Sequence, residues 1–91
     1  MGAWPVAIRE IRPSYTADAM RAKIQGQVEI EVIIAPDGTV GSARITKSLD
    51  ANLGLDRDAL LAAKYWFFEP GTRGGTPVPT RVILMLEFKL H

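Results

Sequence analysis

The stretch Trp66-Phe67-Phe68-Glu69-Pro70-Gly71 decides the reading of this chain, because two different periodicities meet at it. Before it, Leu55, Ala59, Ala62, Ala63 and Trp66 recur at helical spacing, with Asp56, Arg57 and Lys64 off that face. After it, Val78, Thr80, Val82, Leu84, Leu86, Phe88 and Leu90 alternate along one face of an extended strand. Pro70 forbids continuation of the helix, and Trp66 is expected to lock that helix onto a sheet. One of Phe67 and Phe68 is expected to face the core. The connection over 72–76, with Gly74-Gly75, reads as flexible.

Working back toward the N-terminus, Val28, Ile30, Val32 and Ile34 share one face of a strand over 27–35, with Gln27, Glu29 and Glu31 on the other. Pro36-Asp37-Gly38 is a hairpin turn signal, since Asp-Gly tolerates positive φ. A second strand over 39–48 changes parity between Val40 and Ala43, which places a bulge at Gly41. Thr16 caps a short helix through Ile24 that Gly26 ends. Residues 6–11 read as a short extended segment that stops at Arg12-Pro13. Met1-Gly2-Ala3 looks like an expression start, so the chain is expected to be a domain cut from something larger. The division expected is 1–10, an N-terminal extended segment or expression remnant, and 11–91, the domain proper.

The order is weak strand, helix, hairpin, helix, long strand. That predicts an α+β fold: a small, mostly antiparallel three-stranded sheet with two helices packed on one face, plus the N-terminal extended segment. The strand over 27–35 is the natural centre, because its apolar face is continuous and short connections flank it.

Composition narrows the function. The chain has 91 residues, 47% of them hydrophobic, which suits one small domain with one core. A net charge of +1 gives no bulk attraction for nucleic acid or an acidic membrane. There is no cysteine, and the one histidine is His91 at the extreme end. Metal sites and catalytic triads that draw on histidine are therefore not expected, and no cofactor is. Glu29 and Glu31 read as a solvated sheet face, with Glu87 joining them, and Ser48 has no histidine to activate it. Gly71-Thr72-Arg73-Gly74-Gly75 precedes a strand, where a phosphate loop would open a helix. The same element order also fits an RNA-binding sheet, but the strand over 39–48 offers no aromatic for base stacking. An enzyme is not expected.

The last strand, over 78–90, would run roughly 43 Å at ~3.3 Å per residue, longer than the hairpin strands can pair. Part of it should overhang or lie at a sheet edge. Pro77 and Pro79 blunt its start, whereas 82–90 is unprotected. Ile33, Ile83 and Met85 fall on the polar face, either as scattered exposed residues or beneath a third layer from the N-terminal segment. An open edge of this kind adds a partner's strand or exchanges strands in a homodimer.

Together these residues resemble the C-terminal domain of TonB-family energy transducers. The resemblance runs from Ile11 to Leu90. It includes Pro13-Ser14-Tyr15, Ile24-Gln25-Gly26-Gln27-Val28, Pro36-Asp37-Gly38-Thr39-Val40, Lys47-Ser48, Trp66-Phe67-Phe68-Glu69-Pro70-Gly71 and Gly75-Thr76-Pro77-Val78. It implies a periplasmic domain behind an inner-membrane anchor and a proline-rich spacer, coupled to a proton-driven motor complex. Such a domain adds the TonB box of an outer-membrane transporter to its sheet edge and works the plug for uptake of siderophores, cobalamin or other nutrients. By position, Val82, Ile83, Leu84, Met85, Leu86, Glu87 and Phe88 would carry the pairing. Arg12, Pro13, Ser14 and Tyr15 would form the second contact region. Arg12 stands where studied members carry glutamine, and an acidic partner residue would suit it; Thr16 replaces the usual proline. Tyr15 and Trp66 are expected in the core or at a seam. The alternative is a TolA-like or signalling-protein adaptor, using the same edge for protein binding or homodimerisation.

Overall fold

Residues 1–90 are described by a computed structural model; His91, expected from the sequence to be a chain end or tag remnant with no chemical role, lies outside the described residues. The first elements are β1 (Gly2–Ala3), β2 (Val6–Arg9), α1 (Ala17–Arg21), β3 (Gly26–Ile34) and β4 (Val40–Lys47). They are followed by α2 (Leu55–Lys64), β5 (Phe67–Glu69), β6 (Thr72–Arg73), β7 (Thr76–Pro77) and β8 (Thr80–Phe88).

The main sheet is antiparallel in the order β4-β3-β8. Its centre is β3, whose Val28, Ile30, Val32 and Ile34 are all fully buried. Leu84, Leu86 and Phe88 of β8 join them in one core cluster with Ala19 of α1, Phe68 of β5, and Leu55, Ala59, Ala62 and Ala63 of α2. Each large aliphatic side chain buried in this way contributes about 1.5–3 kcal/mol. The alternation in β3 and β8 therefore sets which face is inside, and a one-residue slip would turn every one of these side chains outward.

The hairpin turn follows from its residues. Gly38 has φ 90°, and the Ala35 amide donates to the Thr39 carbonyl at 2.8 Å. A Cβ on Gly38 would sit 2.0 Å from the Phe68 carbonyl oxygen, so the turn is also pressed against β5. Asp37 accepts from the Thr39 hydroxyl at 2.6 Å, and this bond holds its carboxyl below the ordinary value. The bulge expected at Gly41 is present, since Ile33 pairs Ser42 while Ile34 pairs Val40. A second irregularity skips Thr46, whose hydroxyl donates to Glu29 at 2.8 Å.

Four expectations need correction. Two small sheets accompany the main one, β1-β6-β7 and β2-β5. The joint after the helix is itself a strand: Phe68 is buried and Phe67 exposed, and β5 pairs with β2 from the N-terminal segment. Three residues are too few for their alternation to register as a strand in the sequence.

The last strand is nine residues, not thirteen, and every residue of Thr80–Phe88 has a partner in Gly26–Ile34. There is no overhang. Pro79 has no amide to extend the ladder, and the Leu90 amide donates to the Gln25 side chain at 2.8 Å. β8 is an edge because of strand order, not because of excess length.

The first helix stops at Arg21, before Ile24. Lys23 takes the left-handed conformation (φ 57°), with its amide donating to Met20 and that of Ile24 to Ala19. This is a Schellman closure built on lysine, and Gly26 opens β3 instead. Thr16 does cap the helix, accepting from the Ala19 amide at 3.2 Å.

Trp66 lies beyond α2, which ends at Lys64, and packs half-buried against the core cluster from outside the helix. Its ring stacks on Phe68 at 6.0 Å, and its Nε1–H donates to the Ile11 carbonyl at 3.0 Å.

The turn into α2 rests on two buried carboxylates. Asp56 accepts from the amides of Leu49 and Asp50, at 3.0 and 2.9 Å, and from the Ser48 hydroxyl. Burial alone would raise its pKa, but these three donors outweigh it and hold the carboxyl below its ordinary value. Asp50 accepts from the amides of Asn52, Leu53 and Leu55. Ser48, which had no histidine for chemistry, is thus a structural donor.

Candidate strand-binding edge

The strand order leaves one long side of β8 without a partner among the described residues. Which backbone groups face that side follows from β3. The Ala35 amide points to β4, where it meets Thr39. The Glu29 carbonyl lies 3.3 Å from the Thr46 hydroxyl, also on the β4 side. The Ile33 carbonyl lies beside Gly41 of β4. Odd-numbered residues of β3 therefore pair with β4, and even-numbered ones pair with β8.

The β3–β8 register is unbroken, with Ile30 opposite Leu84 and Val28 opposite Leu86. Val82, Leu84, Leu86 and Phe88 consequently direct their amides and carbonyls to β3. Arg81, Ile83, Met85 and Glu87 direct theirs to the open edge. Of the seven β8 residues expected to carry pairing, three present backbone outward; the other four hold the strand down through the core and the ladder. Arg81 belongs to the outward set and was missed, although the period of two along the strand would have found it.

The side chains of Ile83 and Met85 are 48% and 46% exposed, so no third layer covers them. Beside them Glu31 is clamped between two arginines, Arg44 at 2.9 Å and Arg81 at 3.4 Å. The Arg44 hydrogen bond holds the Glu31 carboxyl below its ordinary value, and Arg44 is raised in turn.

The second expected contact region faces the same edge. A groove of about 380 Å³ is lined by Arg12, Pro13 and Tyr15 from the N-terminal segment and by Met85, Leu86, Glu87 and Phe88 from β8. Ser14 is exposed and does not line it. The N-terminal lining is fixed at both ends. Trp66 holds the Ile11 carbonyl, and Tyr15 packs edge-on against Phe88 at 5.3 Å while its hydroxyl donates to the Ile24 carbonyl. Ile11 and Trp66 complete the groove and were not singled out as contacts. The signal available was the indole N–H, which needs an acceptor when half-buried. Among the described residues Arg12 forms no ion pair.

The family described as Gram-negative bacterial TonB protein C-terminal matches residues 11–90. The chain belongs to the TonB C-terminal domain family. Protein TonB of Escherichia coli (strain K12) is 30% identical over 87 residues, which is 96% of this chain and 34% of that protein. Protein TonB of Xanthomonas campestris pv. campestris (strain B100) is 35% identical over 79 residues, 87% of this chain and 35% of that protein. The chain thus spans about one third of the length of the curated TonB proteins it matches. The solution NMR structure of the Pseudomonas aeruginosa TonB CTD superposes with a TM-score of 0.74 at 28% identity, covering 94% of this chain and 86% of that one. In this TonB-family domain β1 and β2 lie before the matched residues, while β8 and the Arg12–Tyr15 segment lie within them. No helix among the described residues is long and apolar enough to cross a membrane.

Proposed function

We propose that this domain is the periplasmic end of a TonB-type energy transducer and binds the TonB box of outer-membrane transporters by strand addition to β8. The observation that carries the proposal is the outward row of amides and carbonyls at Arg81, Ile83, Met85 and Glu87 on an edge with no partner strand among the described residues. Main-chain pairing of this kind accepts varied peptides, because it reads the backbone and leaves side chains to set preference. Arg12, Pro13 and Tyr15 line the same groove as Met85–Phe88 and would contact the end of the added strand. Arg12 favours an acidic residue in the partner.

In the whole protein, an inner-membrane anchor and a proton-driven motor complex would supply the pull. A β-sheet edge suits that work, since force on the added strand is shared by several hydrogen bonds. An amide-resolved titration with a transporter plug peptide tests the assignment. The largest shifts are expected at Arg81, Ile83, Met85 and Glu87, with a second group from Arg12 to Tyr15. Shifts confined to α2 would rule out strand addition.

A further inference from the structure

We propose that Trp4, Arg73 and Arg81 form a second anchor for the same partner, placed beyond the box and selective for an acidic, apolar segment. This rests on the strand-addition reading of β8.

The N-terminal segment meets the last strand at two places, in the same order along both. Trp4 and its neighbours line a groove of about 750 Å³ with Val78, Pro79 and Arg81 at one end. Arg12 and Pro13 line the smaller groove with Met85–Phe88 at the other end. Between the two, Pro5 packs against Gly71, which itself abuts Thr80. The two grooves therefore lie at opposite ends of β8. A strand paired with the backbone from Arg81 to Glu87 covers seven residues, roughly 23 Å, and its ends run into both grooves.

The larger groove is built before any partner arrives. Gly2 and Ala3 pair with Arg73 and Thr72, and the Gly74 amide donates to the Met1 carbonyl at 3.0 Å. A side chain on Gly2 would come within 2.4 Å of the Thr72 carbonyl oxygen, so β1 lies close against β6. Trp4 is nonetheless 77% exposed. No carboxylate lines this groove, while Arg73 and Arg81 both do. Arg73 has no ion-pair partner among the described residues, and Arg81 is shared with Glu31. An exposed indole and two guanidinium groups lining one groove fit an apolar residue flanked by carboxylates. The smaller groove differs: Glu10 and Glu87 balance Arg12 and Lys89 there. Charge therefore distinguishes the two grooves.

The test uses a seven-residue box peptide that shifts the amides of Arg81, Ile83, Met85 and Glu87. The same peptide is extended by Asp-Leu-Asp, or by Lys-Leu-Lys, at each terminus in turn, and affinities are measured by calorimetry. One acidic extension is expected to tighten binding about tenfold. The Lys-Leu-Lys extension at that terminus should not. The gain should vanish in Trp4→Ala and in Arg73→Glu, both exposed positions, while either variant still binds the seven-residue peptide as wild type does. Equal affinity for all the peptides would overturn the anchor, as would variants that weaken short and long peptides alike. If no box peptide moves the β8 amides, strand addition itself has failed, and that result is separate from the affinity comparison.

Discussion

A proline placed at Met85 should leave the domain folded and remove its binding, whereas a proline at Leu84 should unfold it. The two residues are neighbours, so the contrast isolates the direction of one amide. Leu84 lies opposite Ile30, directs its backbone to β3 and is buried. Proline there leaves the facing carbonyl unpaired, at about 1–3 kcal/mol. It also deletes most of a core leucine, at about 2–5 kcal/mol by analogy with leucine truncation. The sum is a large share of the about 5–15 kcal/mol by which such domains are stable. Met85 points its amide to the open edge, where proline is tolerated because no ladder bond is lost. Its side chain is already 46% exposed, so the folding cost should stay near about 1 kcal/mol. Binding should suffer more. One interstrand bond disappears and the peptide's carbonyl is left facing a ring, at about 1–3 kcal/mol, or about 5- to 150-fold in Kd. Urea denaturation and calorimetric titration with a transporter plug peptide report the two quantities. Glu87→Ala is the control: it alters an outward side chain while keeping the amide, and should fold normally and bind within about threefold of wild type. Should Met85→Pro unfold like Leu84→Pro, the derived backbone parity is wrong. Should it fold and bind with wild-type affinity, the added strand does not lie on β8.

Three further outcomes can be checked independently. Trp66→Phe keeps the stack on Phe68 but loses the bond to the Ile11 carbonyl; it should cost about 0.5–1.5 kcal/mol in denaturation and speed amide exchange from Ile11 to Tyr15. Gly38→Ala places a Cβ against the Phe68 carbonyl at positive φ, so thermal unfolding should reveal a loss greater than the about 1–2 kcal/mol of left-handed strain alone. Asp56 has its pKa lowered in the folded state, so the unfolded chain takes up this proton first as pH falls. Its stabilisation is complete above about pH 5 and drains as pH drops through about 4 toward the lower folded value; Asp56→Asn should be less stable at pH 7 and flatter across that window.

Much of this domain was legible as pattern. The period of two in 27–35 and 80–88, and the helical spacing from Leu55 to Ala63, are single-element properties. They sort side chains into core and surface without reference to the rest of the chain. The hairpin at Pro36-Asp37-Gly38 and the bulge at Gly41 were readable for the same reason, because backbone geometry there is limited by the residue itself. The edge was found from a false premise. Thirteen alternating residues suggested an overhang, yet the strand is nine residues long and fully paired. It is an edge because β3 lies between its two neighbours, and strand order is not written in any one strand.

What the sequence alone determined is the main elements, from the hairpin strands through the second helix to the last strand, and their inward faces. Tertiary structure alone decided that Trp66, fifty-five positions from Ile11, would hold the Arg12–Tyr15 segment beside Met85–Phe88. It also decided that residues 1–10 would pair with the segment after α2, and that the odd-numbered amides of β8 would face outward. The physical reason is that periodicity records how each residue meets the core. Which two segments become neighbours, and which hydrogen-bonding groups are left over, depend on how the elements are satisfied together.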